Sequence, residues 1–190
     1  MRMDINKVSL ENTNVGGKVV GNNDYSQTFN NVYESSRYFE ELYKKFEEEK
    51  NNNPELKEFC EELDYYNAKI DGDVLGLEEK LTLGNREKII FYAKSAKEKF
   101  HKKLIKTSQY STVGQEINIA ILAKVKRGFM MEVYTLICNN APQENIDKLI
   151  TERIINPVKQ ELGINLFKYD EEDIMGMIFF LTGNCHIKWN

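Results

Sequence analysis

From residue 32 onward, apolar side chains recur three and four positions apart, and turn residues cut the pattern into helix-length segments. Between Val32 and Lys50, Phe39, Leu42, Tyr43 and Phe46 share one face and acids crowd the other. Asn51–Asn53 breaks that pattern, and Asn53-Pro54-Glu55 supplies a cap and a first-turn proline for a second helix. Its stripe is Leu56, Phe59, Cys60, Leu63, Tyr66 and Ile70, ended by Asp71-Gly72. The two segments predict an antiparallel helical hairpin. Residues 73–84, with leucines between glycines, predict a short helix.

The longer helices follow. Asn85 is placed to cap one running to about Thr107, with Ile89, Ala93, Ala96, Phe100 and Leu104 inward. Thr112-Val-Gly-Gln115 reads as a capping box for a helix to about Asn139, on the order of 40 Å at ~1.5 Å per residue. Its apolar positions, from Ile117 to Ile137, are numerous enough for a helix touched from several sides. Pro142 opens another helix striped by Ile146, Ile150, Ile154, Val158 and Leu162; Pro157 predicts a kink near Asn156, and Gly163 a stop. Ile164 to Tyr169 then reads as an extended connector.

The end of the chain has a different pattern. Asp170 is a good N-cap, and Glu171, Glu172 and Asp173 suit the positive end of a helix dipole. Ile174 to Leu181 is apolar at every position but Gly176, which marks a helix buried on all sides with a close backbone neighbour at the glycine. Gly183 is placed for a left-handed stop. Cys185, Ile187 and Trp189 alternate with His186 and Lys188, predicting a short half-buried strand. Because the only Trp is the second-last residue, the C-terminus is expected to be docked.

The first 31 residues are instead rich in Gly and Asn. Lys18 to Val20, a Gly21–Asp24 turn and Tyr25 to Phe29 predict a hairpin. A lone hairpin is marginal in water, which makes Val19, Val20, Tyr25 and Phe29 candidate oligomerisation residues and the chain a candidate homo-oligomer. The fold class is thus all-α, a helical bundle with a short N-terminal β-hairpin or β-repeat leader. The expected division is 1–31 leader, 32–72 helical hairpin and 73–190 helical C-terminal domain.

Composition narrows the function classes. A net charge of −4 over 190 residues gives no overall pull toward nucleic acid, and no run of ~18 apolar residues is present. Three Cys without C-x-x-C, and no signal-peptide pattern, fit a reducing cytoplasm. Cys185-His186 would be a nucleophile–base or zinc pair, but neighbours on a strand point to opposite faces. A metal site would have to gather Cys60, Cys138, His101 and His186 from distant segments, so no cofactor or metal is expected and no catalytic residue is assigned. The glycines at 16, 17 and 21 match neither G-x-G-x-x-G nor a Walker A loop. One basic feature stands out. Lys94, Lys97, Lys99, Lys102, Lys103 and Lys106 share a helix side with only Glu98 against them, a candidate phosphate-backbone surface.

The string Asp173-Ile-Met-Gly-Met-Ile-Phe-Phe-Leu-Thr-Gly-Asn-Cys-His-Ile-Lys-Trp189 resembles the ending of a C-terminal domain of bacterial ABC-three-component conflict systems. Weaker similarity takes in Leu77-Glu-Glu-Lys-Leu81, Gln115-Glu116, Leu122-Ala-Lys-Val125, Val133-Tyr134, Leu136-Ile137, Ile154-Ile-Asn-Pro157 and Leu162-Gly163, so it spans about residues 77–190. The resemblance implies a non-catalytic interaction subunit of an antiviral or mobile-element defence system. Its partners would be an ABC-class ATPase and a middle component. Asp173, Asn184, His186, Lys188 and Trp189 become candidate protein-interaction residues. Two alternatives remain open: nucleic-acid binding through the lysine face, and an effector enzyme completed in an oligomer with His186 and Asp173 at the junction.

Overall fold

A computed structural model describes residues 26–52, 58–70 and 75–190, and side chains from residue 37 on. All regular structure among the described residues is helical, in agreement with the apolar spacing. The hairpin positions Val19, Val20 and Tyr25 lie outside the described residues. Helix α1 runs Ser26–Asn52, so Phe29 stands on a helical backbone and not on a strand.

The inward face of α1 is as the spacing predicts: Phe39, Leu42 and Tyr43 are buried. The second helix is shorter than expected. Helix α2 is Glu61–Asn67, with Cys60 extended as its N-cap. The reason is Gln115, whose Oε1 accepts from Cys60 N at 2.8 Å while its Nε2 donates to Glu58 O at 2.9 Å. Those backbone groups are taken up by a buried amide, so the stretch cannot also join a helix. Among the described residues α1 packs along α5 and α8, and α2 packs on α5.

Helix α3 is Leu77–Leu83, and a 3-10 turn Glu87–Ile89 leads into α4, Ile90–Ser108. The predicted central helix is one long rod in three parts: α5, Thr112–Gly128; a π-helical turn, Phe129–Val133; and α6, Tyr134–Cys138. Its cap is Ser111, whose Oγ accepts from Gly114 N at 2.8 Å. Thr112 is therefore the first helical residue. The Glu49 carboxylate of α1 reinforces that end, accepting from Thr112 N at 3.0 Å and Val113 N at 3.1 Å. Burial pushes the Glu49 pKa up, but its hydrogen bonds from Ser111, Thr112 and Val113 outweigh this and hold it at about 2.

The Pro142 helix behaves in the same way, as α7, Gln143–Ile150; a π-helical turn, Thr151–Ile155; and α8, Asn156–Leu162. Pro157 has no N–H to offer the preceding turn, and the added residue of the π-turn is where the helix adjusts to that loss. Gly163 ends α8 at φ 52° as expected. The connector after it is not extended. Asn165 and Lys168 take positive φ, and the Asn165 side chain brackets Tyr169, accepting from its N at 3.0 Å and donating to its O at 2.7 Å. These turns drive Phe167 and Tyr169 into the core.

Helix α9, Glu171–Gly183, is the centre. From Asp173 to Gly183 only Met175 is not fully buried, and α4 lies along it as the most extensive helix pair, with α3 and α5 also against it. Gly176 permits this. A Cβ there would stand 2.3 Å from Ala96 O and 2.8 Å from Phe100 Cβ. Gly183 is not the left-handed stop: the helix passes into Asn184, and positive φ falls at Cys185. The chain after it forms a turn and then a coil without strand pairing. Burial of Ile187 and Trp189 confirms the docked C-terminus.

Candidate functional site

The lysine face is not a free cationic surface. Four of its members are met by acids, most of them from the first turn of α9. Lys99 Nζ stands 2.8 Å from Asp170 and 2.5 Å from Glu172. Burial lowers the Lys99 pKa, but these hydrogen-bonded carboxylates more than reverse it and hold it above the ordinary lysine value. Lys103 pairs with Asp173, which is fully buried, and also donates to Lys168 O at 2.9 Å. Lys94 pairs with Glu78, and Lys102 with Glu98 at 3.3 Å. Lys97 is half-buried, its pKa lowered by burial and by Lys69. Lys106 alone of the six is exposed with no ion pair among the described residues. The acids read from sequence as dipole partners are thus also the counter-charges of the lysines. Together they lock α4 to α9.

The candidate interaction residues are placed differently from the expectation. Asp173, Asn184, His186 and Trp189 are all buried, and only Lys188 is exposed. Asp173 closes the capping box, accepting from Asp170 N at 2.9 Å. Asn184 Nδ2 donates to Tyr66 O at 2.9 Å, tying α2 to the chain end. His186 packs against the rings of Tyr65 and Tyr66, 4.8 and 5.4 Å away; burial and Lys126 hold its pKa down. Trp189 Nε1 donates to Thr182 Oγ1 at 3.0 Å, under the Arg86 guanidinium and against Phe129. The four buried ones build the body, and Lys188 alone of the five faces outward. Asp173 and His186 sit at opposite ends of α9, roughly 20 Å apart at ~1.5 Å per residue, so they share no site within one chain.

Two buried cations near that end escaped the sequence reading. Lys80, 1% exposed, donates from Nζ to Thr182 O at 3.1 Å, meeting the carbonyl end of α9. Arg86 pairs with Asp147 Oδ1 at 2.5 Å. Charged residues in short helices and turns carry no periodic signal of burial. Cys60, Cys138 and Cys185 form no disulfide with one another, and among the described residues no group of His, Cys, Asp or Glu is set to hold a metal ion. Among them, too, no helix is long and apolar enough to cross a membrane.

What faces outward is a groove of about 520 Å³ between the two π-turned rods, closed on one side by α1. Phe39, Ala123, Gly128, Ile154, Pro157 and Val158 form its apolar lining. Gly128 lets the rods approach, since a Cβ there would meet the Ile154 side chain at 3.3 Å. Met131, on the Phe129–Val133 π-turn, lies on the edge and is 72% exposed. Lys124 and Glu161 pair within the groove; Arg127, Arg153 and Glu132 stand on its rim. Pro157 is the one sequence signal that pointed here, through the expected kink. Nothing in residues 129–133 announces a π-turn.

The model of one protein family, C-terminal domain 9 of the ABC-three component (ABC-3C) systems, matches residues 76–189, more than half of the chain. Neither the curated proteins nor the solved structures hold a match. The matched stretch runs from the N-cap of α3 to Trp189 and so takes in the central helix, its lysine partners and both π-turned rods.

Proposed function

The chain belongs to the C-terminal domain 9 family of the ABC-three component systems, and on that premise we propose that it is an assembly subunit that performs no chemistry itself. It docks onto the ABC-class ATPase, the middle component, or both, and couples their state to the response of an antiviral or mobile-element defence system.

One observation carries this reading. The matched domain uses its buried ionic groups to fasten its own helices, as in Lys103 with Asp173 and Arg86 with Asp147, while its open groove is apolar and bordered by an exposed methionine. Large unbranched thioethers at a surface suit contact with another protein. The lysine alternative is weakened by the acids that meet Lys94, Lys99, Lys102 and Lys103.

The test is co-expression with the ABC-class ATPase and middle component encoded beside it, followed by affinity capture and size exclusion with light scattering. A defined complex with at least one of them is expected. Elution apart from both at micromolar concentration overturns the proposal. The same measurement on the full chain and on a variant lacking residues 1–31 reports whether the leader makes a homo-oligomer.

A further inference from the structure

The groove between the rods has a definite chemistry. Its two long walls each contain a π-helical turn, Phe129–Val133 and Thr151–Ile155. Such turns interrupt regular helix geometry and recur at functional sites. Here both fall beside the same depression: Met131 comes from the first, and Arg153 and Ile154 from the second. The interruption re-aims side chains that a regular helix would place elsewhere.

Charge at the rim is uneven. Inside the groove Lys124 is paired with Glu161, and burial together with the nearby Arg127 charge lowers the Lys124 pKa. Outside it, Arg127 and Arg153 are exposed with no ion pair among the described residues, against the single carboxylate of Glu132. Two guanidiniums at the rim of an apolar slot suit carboxylates beside an apolar anchor, since Arg binds carboxylates through a planar fork. An amphipathic helix presents that arrangement, with apolar residues at i and i+3 or i+4 and acids beside them.

We infer that the groove receives an acidic amphipathic helix of another protein, its apolar anchor between Met131 and Val158 and its carboxylates on Arg127 and Arg153. The inference rests on the docking reading and names the surface and the chemistry of what it holds.

The experiment uses the full chain with the co-expressed ATPase and middle component. A photo-crosslinking amino acid at Met131 is compared with one at exposed Phe91, and the double variant R127E/R153E is compared with K106E. Expected are a crosslink from position 131 alone, to a partner segment with apolar residues flanked by Asp or Glu, and a loss of at least tenfold in complex affinity for R127E/R153E only. Restored affinity on reversing the partner's acids to Lys completes the case.

Several outcomes overturn the inference. If the complex forms but resists R127E/R153E and position 131 captures nothing, the groove is wrong and the docking reading stands. A crosslink to a basic segment or to a second copy of this chain also rejects it. So does loss of DNA or RNA retention in R127E/R153E with the protein complex intact. If no complex forms with either component, both readings fall together. Arg127, Arg153, Met131 and Phe91 are exposed, and circular dichroism of each variant confirms folding before binding is scored.

Discussion

Gly176→Ala should destabilise the fold although alanine is the better helix former. The added Cβ would lie 2.3 Å from Ala96 O, where ordinary contact begins at 3.4 Å, so α4 and α9 must part by about 1 Å. The obstacle is a backbone carbonyl within a helix, which has no rotamer to change. Overpacking of this kind costs ~1–3 kcal/mol, and an immovable neighbour puts it at the upper end. Removing a mid-helix glycine returns up to ~1 kcal/mol. The net loss is about 2 kcal/mol, or ~4–8 °C in Tm for a chain of this size.

Gly183→Ala is the matched control in the same helix. Its Cβ would meet Lys97 Nζ at 2.5 Å, the far end of a flexible side chain that can swing away, so the expected change is within ~0.5 kcal/mol. Urea unfolding followed by circular dichroism and by Trp189 fluorescence gives both values, with coincident transitions licensing a two-state fit. Equal stability of the two variants, or an unchanged Gly176→Ala protein, would refute the claim that close approach at Gly176 sets the α4–α9 distance.

Three further outcomes follow from the same contacts. Lys103→Met should cost ~2–3 kcal/mol by stripping a partner from buried Asp173, below the usual ~3–5 because Lys99 remains at 3.8 Å, while Lys106→Glu should be near neutral in the same melts. Trp189→Ala should cost ~3–5 kcal/mol by opening a cavity beside Phe129 and Arg86; a melt unchanged by it would mean the chain end is not part of the core. Glu49 has a depressed folded pKa of about 2 against an ordinary 4.5, so its stabilisation is full above pH ~4.5 and lost as pH falls toward 2. Glu49→Gln should lower stability at neutral pH by ~1 kcal/mol and flatten that acid slope; urea midpoints between pH 3 and 7 check it.

Expectations failed wherever a single distant side chain decided the backbone. Residues 58–60 have a helical apolar pattern, yet Gln115, more than fifty positions away, binds Glu58 O and Cys60 N, and the stretch stays outside the helix. Residues 164–169 look extended because Ile, Leu, Phe and Tyr are close together, but Asn165 folds them into turns through its own amide. Gly183 has the composition of a helix stop, but Cys185 takes the positive φ. The lysine face was visible as a row of like charges. That its counter-charges stood in α9 was not, because ion pairing across seventy residues leaves no local trace.

The helical class, most of the inward faces, the capping of α9 at Asp170, the need for a close neighbour at Gly176 and the burial of the chain end could all be read along the chain. Each rests on spacing along one helix or on the size of one side chain, which are local properties. Tertiary packing was needed to turn Asp173, Asn184, His186 and Trp189 inward, to bring acids to Lys94, Lys99 and Lys103, and to set two π-turns beside one groove. Those depend on which helices lie side by side, and the packing of apolar faces that sets this has no direction along the chain.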